Sequence, residues 1–212
     1  MQFLPEEIDK YAGNHTTPQN DLLNLIERET WQEVLMPRML SGHQQGRFLS
    51  LISHLMNPRR ILEIGTYTGY SAICLAEGLS ENGSLHTIDI NGELKSRVSS
   101  YLEKANLSNS VKLHIGNAKN IIPIIDEKWD IVFIDADKEN YCTYFDLVIE
   151  KMEVGGIIIA DNVLWSGKVL DPNEKDDETI GLDNYNKKIA EDNRVENQLL
   201  PIRDGLMIAR RI

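Results

Sequence analysis

The chain has 212 residues, of which 33 are acidic and 22 basic, so its formal net charge is −11 at pH 7. Because 42% of the residues are hydrophobic and 26% are charged, the composition is that of a folded globular chain rather than a disordered one. The excess of acidic side chains disfavours broad electrostatic binding to nucleic acid or to an anionic membrane surface.

The N-terminal sequence and the cysteine content narrow the class of protein further. No apolar run reaches the roughly 18 residues of a membrane span, and the first ten residues carry Glu6, Glu7 and Asp9 instead of the basic start of a secretion signal. Cys74 and Cys142 are far apart in sequence and lack neighbouring metal-binding residues, so neither a disulfide framework nor a zinc site is predicted. We therefore expect a cytoplasmic protein of one domain.

Helices are predicted for residues 1–57, which we expect to cover the binding cleft. Thr17 followed by Pro18 is typical of an N-cap and a first helical position. An apolar stripe from Phe48 to Met56 predicts a second helix with one buried face, and this helix should end before Pro58.

Residues 58–212 are predicted to form an α/β core. Short apolar runs at 61–64, 85–90, 111–115, 131–134 and 157–160 alternate with helical segments at 70–80, 93–105, 118–126 and 140–152. This alternation is typical of a parallel sheet with helices on both faces. A helix at 179–192 precedes apolar runs at 195–202 and 206–209, and the intervening Asp204-Gly205 indicates a hairpin with an antiparallel last strand.

A glycine-containing loop follows the first predicted strand. Gly65 and Gly69 allow a sharp turn and a close approach to a ligand, although two glycines alone are equally typical of a turn without one. Their spacing and the carboxylate of Glu63 disfavour a nicotinamide dinucleotide, because that carboxylate occupies the place of a pyrophosphate. Glu63 suits an ammonium group, Asp89 suits two ribose hydroxyls, and Asn117 is a candidate adenine contact. An amino acid joined to a nucleoside describes S-adenosylmethionine.

Polar side chains also follow the fourth and fifth predicted strands. Asp135, Asp161 and Asn162 offer oxygen ligands of the kind that Mg²⁺, Mn²⁺ and Ca²⁺ prefer. Lys138 would face such an ion, and both a nearby dication and burial lower a lysine pKa towards that of a general base. The alternative is that Asp135 and Asp137 cap the next helix and that Asp161-Asn162 forms a turn.

The sequence resembles the cation-dependent class I O-methyltransferases of the catechol and caffeoyl-coenzyme A type. The resemblance covers nearly the whole chain, and it rests on five motifs: His15 to Pro18, Glu63 to Ser71, Asp135 to Lys138, Asp161 to Trp165 and Leu200 to Gly205. It implies a Rossmann-like fold with seven strands, of which the last is antiparallel. It also implies a homodimer that uses S-adenosylmethionine and a divalent cation, most simply Mg²⁺, to methylate a small phenolic substrate.

The resemblance and the loop analysis together name the expected site residues. The predicted cofactor contacts are Ser41, Glu63, Gly65, Tyr67, Gly69, Ser71, Asp89, Asn117, Ala118 and Asp135. The predicted metal ligands are Asp135, Asp161 and Asn162, and Lys138 is the predicted catalytic base. Candidate substrate contacts are Met39, Lys138, Trp165 and Tyr185, of which Trp165 and Tyr185 are equally typical of ordinary core or interface residues.

The leading hypothesis is a metal-dependent methyltransferase that acts on a catechol-like phenol such as caffeate or a related hydroxycinnamate. The acidic segment from Asp171 to Glu178 is a poor partner for a phosphorylated coenzyme A. One alternative keeps the chemistry but uses a hydroxylated uridine in transfer RNA as the acceptor, against which the net charge argues. The other alternative is a non-catalytic protein that binds S-adenosylmethionine.

Overall fold

The structure is a computed structural model that describes residues 5–212, so the first four residues of the predicted helical region lie outside the described part. In chain order, its helices and strands are α1 (Glu6–Asn14), α2 (Asp21–Glu33), α3 (Gly42–Met56), β1 (Arg60–Ile64), α4 (Tyr70–Ala76), β2 (Ser84–Asp89), α5 (Lys95–Lys104), β3 (Val111–Ile115), α6 (Ala118–Ile121), β4 (Trp129–Ile134), α7 (Tyr141–Ile149), β5 (Met152–Ala160), α8 (Asp177–Glu191), β6 (Val195–Leu200) and β7 (Leu206–Arg211). None of these helices is long and apolar enough to cross a membrane.

The described residues form two compact units, and each is treated by itself. Residues 7–117 form the first unit, and residues 118–212 together with residues 5–6 form the second. The predicted organisation as one domain, with a boundary after residue 57, stays a prediction.

In the first unit, three parallel strands lie in the order β3-β2-β1. The register pairs Ile61 with Leu85 and Leu85 with Val111. Ile61, Leu62 and Ile64 are all buried, as expected for a parallel strand that is covered on both faces. Polar loops after β1 and β2 therefore begin at the same edge of the sheet.

In the second unit, the strands lie in the order β4-β5-β7-β6. β4 runs parallel to β5, whereas β7 is antiparallel to both β5 and β6. The hairpin turn before β7 contains Gly205 with a φ of +89°, and a Cβ atom there would lie 2.5 Å from Cγ of Leu164. The seven-stranded mixed sheet with an antiparallel last strand confirms the predicted α/β, Rossmann-like fold class.

Two local predictions for the N-terminal helices are wrong. The N-cap of α2 is Asn20 rather than Thr17, because the Asn20 side chain accepts a hydrogen bond from the backbone N–H of Leu23. On α3 only Leu49 of the expected apolar stripe is buried, whereas Leu51 is 58% exposed and Leu55 is 74% exposed.

The buried face of α3 consists mostly of small and polar residues. These are Gln45, Gly46, Leu49, Ser50 and Ser53. Gly46 permits close packing, because a Cβ atom there would lie 2.6 Å from the Tyr70 ring. The Ser53 hydroxyl donates a hydrogen bond to the carbonyl oxygen of Leu75 at 2.6 Å. The close approach of α3 and α4 therefore selects small side chains and leaves the larger apolar ones at the surface.

Candidate active site

The glycine loop after β1 is held by Asp89, the last residue of β2. Oδ2 of Asp89 accepts hydrogen bonds from the backbone N–H groups of Thr66 at 3.1 Å and Tyr67 at 2.7 Å. Oδ1 accepts a third hydrogen bond from the N–H of Asn91 at 2.8 Å. Gly65 and Tyr67 both have positive φ values, +102° and +48°. The carboxylate predicted to bind ribose thus also anchors the loop, a role that the sequence analysis missed.

Glu63 is a fully buried carboxylate at the end of β1. Its Oε2 accepts a hydrogen bond from the Thr87 hydroxyl at 2.5 Å, and the hydroxyls of Thr87 and Thr66 are also 2.5 Å apart. Burial of a carboxylate is costly unless hydrogen bonds or an opposite charge compensate it. A buried carboxylate at this position is compatible with the predicted contact to an ammonium group, which stays a prediction.

Tyr67 links the glycine loop to the segment before α3. Its hydroxyl lies 3.0 Å from the carbonyl oxygen of Leu35 and 3.2 Å from that of Met36, and it donates to these acceptors. The same segment carries Met39, which is 58% exposed, and Ser41, which is 7% exposed. The structure therefore ties the segment that carries these two predicted contacts to the cofactor loop.

The remaining predicted cofactor contacts lie in both units. Gly69, with a φ of +82°, caps α4, and Ser71 is a buried residue in its first turn. Asn117 is the last residue of the first unit, and Ala118 begins α6 in the second. These positions are compatible with the predicted roles, which stay predictions.

Asp135 and Asp161 follow paired residues of neighbouring parallel strands. The register pairs Ile134 of β4 with Ala160 of β5, and the N–H of Asp161 donates to the carbonyl oxygen of Ile134 at 2.9 Å. Adjacent strands lie about 4.8 Å apart. The two aspartates therefore leave the same edge of the sheet side by side.

The predicted ligands form a set of hard oxygen donors. Asp161 is only 4% exposed, and its Oδ1 accepts a hydrogen bond from the N–H of Asn162, whose φ is +59°. The expected turn is thus present alongside the paired carboxylates. Within residues 5–212, no group of three or more His, Cys, Asp and Glu side chains is placed to hold a metal ion. The predicted set has only two carboxylates plus one amide, and its chemistry fits Mg²⁺ or a similar cation.

Lys138 lies beside this pair of aspartates. Its Nζ donates to Oδ1 of Asp135 at 2.9 Å and to the hydroxyl of Tyr141 at 2.8 Å, and the residue is 7% exposed. Burial lowers the pKa of Lys138, as predicted, but the neighbouring Tyr141 and Asp135 raise it by more, so the pKa lies above its ordinary value. Lys138 is therefore an ion-paired ammonium in this structure, and its role as a base stays a prediction.

The backbone of Lys138 is held by helix α8. A Cβ atom at Gly181 would lie 2.7 Å from the carbonyl oxygen of Lys138. Glycine at this position therefore lets α8 approach the segment that carries the lysine.

The two aromatic substrate candidates differ in their surroundings. Trp165 lies near the cluster, with its ring centroid 5.9 Å from Nζ of Lys138. Tyr185 is fully buried, and its ring packs edge-on against Tyr141 at 5.5 Å and against Phe145 at 6.5 Å. The surroundings of Tyr185 match the core alternative rather than a substrate contact.

Tyr141 is a residue of this cluster that the sequence analysis missed. It is fully buried, and its hydroxyl also lies 3.1 Å from the carbonyl oxygen of Asp161. Asp135, Lys138 and Tyr141 follow each other at intervals of three residues, which places side chains on one face of a helical turn. That spacing is the signal by which the sequence could have revealed it.

Known proteins that are similar to this chain are O-methyltransferases. The family model described as O-methyltransferase matches residues 13–212. The chain belongs to the O-methyltransferase family. A caffeoyl-CoA O-methyltransferase from Nicotiana tabacum is 32% identical over 213 residues, which cover 92% of this chain and 84% of the relative. The predictions of the family and of an enzyme that transfers a methyl group to oxygen are therefore confirmed.

Two solved bacterial methyltransferases have the same architecture. One is the O-methyltransferase TomG from Streptomyces achromogenes, involved in tomaymycin synthesis and solved with SAM, with a TM-score of 0.90, 29% identity, and coverage of 97% of this chain and 96% of that one. The other is an O-methyltransferase from Bacillus cereus solved with SAH, with a TM-score of 0.89, 30% identity and coverage of 97% of each chain. The O-methyltransferase family thus shares this fold over nearly the full length of the chain.

Proposed function

We propose that this O-methyltransferase uses S-adenosylmethionine and a divalent cation to methylate one hydroxyl of a catechol-like phenol, such as caffeate or a related hydroxycinnamate. The solved complexes of related proteins with SAM and SAH support the cofactor. The name of the tobacco relative supports a hydroxycinnamoyl acceptor. The observation that carries the proposal is the paired exit of Asp135 and Asp161 from β4 and β5, with Lys138 beside them.

The residues after β1 and β2 would bind the cofactor, and the residues after β4 and β5 would bind the cation and the acceptor. Glu63 would bind the ammonium group of the cofactor, and Asp89 would hold the glycine loop and accept hydrogen bonds from the ribose hydroxyls. Asp135, Asp161 and Asn162 would hold the cation, which when bound supplies a positive charge that orients a vicinal diol and favours its ionised form. Lys138 would accept the proton of the reacting hydroxyl after its own ammonium proton has been lost to solvent.

The methyl transfer needs no reactant besides the phenolate and S-adenosylmethionine. The oxygen of the phenolate attacks the methyl carbon, a new carbon–oxygen bond forms, and the carbon–sulfur bond of the sulfonium breaks to leave a neutral thioether. Because an anion and a cation neutralise each other in this step, a site that excludes water favours it. Orientation of the two reactants lowers the barrier further, by up to about 7 to 11 kcal/mol in ideal intramolecular cases.

A free phenol is the proposed acceptor rather than a coenzyme A ester. Residues 171–178 contain Asp171, Glu174, Asp176, Asp177 and Glu178 but a single lysine. Such a segment repels the phosphates of coenzyme A.

A methyl-transfer assay with four acceptors tests the proposal. Labelled S-adenosylmethionine is offered with catechol, caffeate, caffeoyl-coenzyme A or bulk transfer RNA, each with Mg²⁺ and with EDTA. We expect EDTA-sensitive labelling of the two free diols. Preferential labelling of transfer RNA would reverse the choice of acceptor, and binding of the cofactor without any transfer would favour a non-catalytic binding protein.

We also propose that the protein is a homodimer and acts in the cytoplasm. The outward-facing apolar side chains of Leu51 and Leu55 on α3 offer a surface that a second copy can cover. Light scattering after size-exclusion chromatography should give twice the mass of the chain, and Leu51→Glu/Leu55→Glu should shift it towards the single-chain mass. A wild-type monomer at micromolar concentration would contradict the dimer.

A further inference from the structure

The hydroxyl of Tyr141 lies between the predicted base and the backbone of a predicted metal ligand. Nζ of Lys138 is 2.8 Å from this hydroxyl, and the carbonyl oxygen of Asp161 is 3.1 Å from it. A tyrosine hydroxyl has one proton to donate. Because a carbonyl oxygen can only accept, Tyr141 donates to Asp161 and accepts from Lys138.

This arrangement fixes the direction of the Lys138 amine. A tetrahedral nitrogen on an alkyl stem has three remaining positions, and the contacts with Asp135 and Tyr141 take up two of them. In the neutral amine that acts as the base, the third position carries the lone pair, and the two hydrogen bonds fix its direction. The ring centroid of Trp165 lies 5.9 Å from Nζ.

We propose that Tyr141 is a positioning residue for methyl transfer, which acts through Lys138 and rests on the proposed function. Its hydroxyl holds the amine so that the third position of Nζ meets the reacting hydroxyl of the acceptor. Through the carbonyl oxygen of Asp161, the same hydroxyl ties the lysine to the end of β5. Tyr141 therefore links the position of the predicted base, Lys138, to the position of the predicted metal ligand Asp161.

The ring of Tyr141 is held in position by the side chains that pack against it. It is fully buried, and the Tyr185 ring packs against it at an interplanar angle of 90°. Nζ of Lys138 lies 5.1 Å from the centroid of the Tyr141 ring. Packing on these sides fixes the ring, so the hydroxyl cannot follow the lysine if the lysine moves.

Two tyrosine-to-phenylalanine variants on the same helix test the proposal. Tyr141→Phe removes the hydroxyl that contacts Lys138, and Tyr144→Phe removes a buried hydroxyl that donates to Asp137 instead. We expect Tyr141→Phe to lower kcat for the diol by about 10- to 100-fold, the effect of one hydrogen bond to a charged group. The dissociation constant of S-adenosylhomocysteine should not change, and Tyr144→Phe should leave kcat unchanged. Equal effects of the two variants, or no effect of Tyr141→Phe, would overturn the proposal.

A measurement without turnover separates this proposal from the proposed function. In wild-type protein labelled with ¹⁵N, the Lys138 ammonium signal, identified by its loss in Lys138→Arg, should show a nuclear Overhauser effect to the ring protons of Tyr141. The signal should shift in Tyr141→Phe but not in Tyr144→Phe. Absence of the contact in the wild type would overturn the positioning role, and the wild-type spectrum decides this even if Tyr141→Phe does not fold. Absence of methyl transfer to every acceptor, with the contact intact, would overturn the proposed function and with it the role in catalysis.

Discussion

Replacement of Asp89 by alanine should weaken cofactor binding, because it removes the carboxylate that holds the glycine loop. Two backbone N–H groups, those of Thr66 and Tyr67, lose a charged acceptor at once. Since Tyr67 has a positive φ, the loop has to be held in a conformation that most side chains avoid. In the variant, the loop conformation that binds the cofactor is therefore expected to be only one of several that the loop adopts.

The size of the effect follows from these two contacts. A hydrogen bond to a charged group contributes about 1.5 to 3 kcal/mol when buried, and the partial exposure of Asp89 reduces this to about 1 to 1.5 kcal/mol for each bond. The sum of about 2 to 3 kcal/mol corresponds to an affinity for S-adenosylhomocysteine that is lower by about 30- to 140-fold. Lost contacts with the ribose hydroxyls would add to this value.

Isothermal titration calorimetry with S-adenosylhomocysteine measures this change. Asp89→Asn keeps one acceptor oxygen and should bind with intermediate affinity, and Glu81→Ala, which removes an exposed acidic residue from the same unit, should bind like the wild type. Binding of Mg²⁺ should not change in any of the three variants. An Asp89→Ala protein that is folded and binds the cofactor with wild-type affinity would refute the role of Asp89 in holding the loop.

Two further predictions concern the second unit. Asp161→Ala should abolish Mg²⁺-dependent turnover while cofactor affinity is retained, because one of two carboxylate ligands is lost; calorimetry with Mg²⁺ alone checks the ion, and full activity would show that the ion site is misassigned. Tyr185→Phe should raise the melting temperature slightly and leave kcat unchanged, since the hydroxyl is buried without a hydrogen-bond partner among residues 5–212 and such a group costs about 1 to 3 kcal/mol. A large loss of kcat in Tyr185→Phe would instead restore Tyr185 as a substrate contact.

The sheet could be predicted from the sequence because its strands are continuous apolar runs. Ile131 to Ile134 and Ile157 to Ala160 are all buried, as expected for parallel strands that are covered on both faces. Because parallel strands in register end at one edge of the sheet, the strand prediction alone puts Asp135 and Asp161 at that edge.

The N-terminal helices were harder to predict because their packing depends on small or polar residues. Gly46 and Ser53 of α3 are buried against α4, whereas Leu51 and Leu55 are exposed, so hydrophobic periodicity alone did not identify the buried face. Helix α1 has no buried residue, so burial does not fix its place in the fold.

Within the site, the residue types were predictable from the sequence, but the hydrogen bonds that these residues make with other parts of the protein were not. A sequence shows that Asp89 ends a strand, but only the structure shows that the carboxylate reaches back to two N–H groups of the loop. In the same way, the hydroxyl of Tyr141 takes on a role only when α7 places it between Lys138 and Asp161.

The most direct test of the central claim compares a diol with a single hydroxyl. Methyl transfer from labelled S-adenosylmethionine is measured with 3,4-dihydroxycinnamate and with 4-hydroxycinnamate, in Mg²⁺ and after EDTA treatment. If Asp135, Asp161 and Asn162 hold a cation that orients two neighbouring oxygens, only the diol is methylated, EDTA abolishes the reaction and added Mg²⁺ restores it. Equal methylation of both phenols in the presence of EDTA would contradict the account.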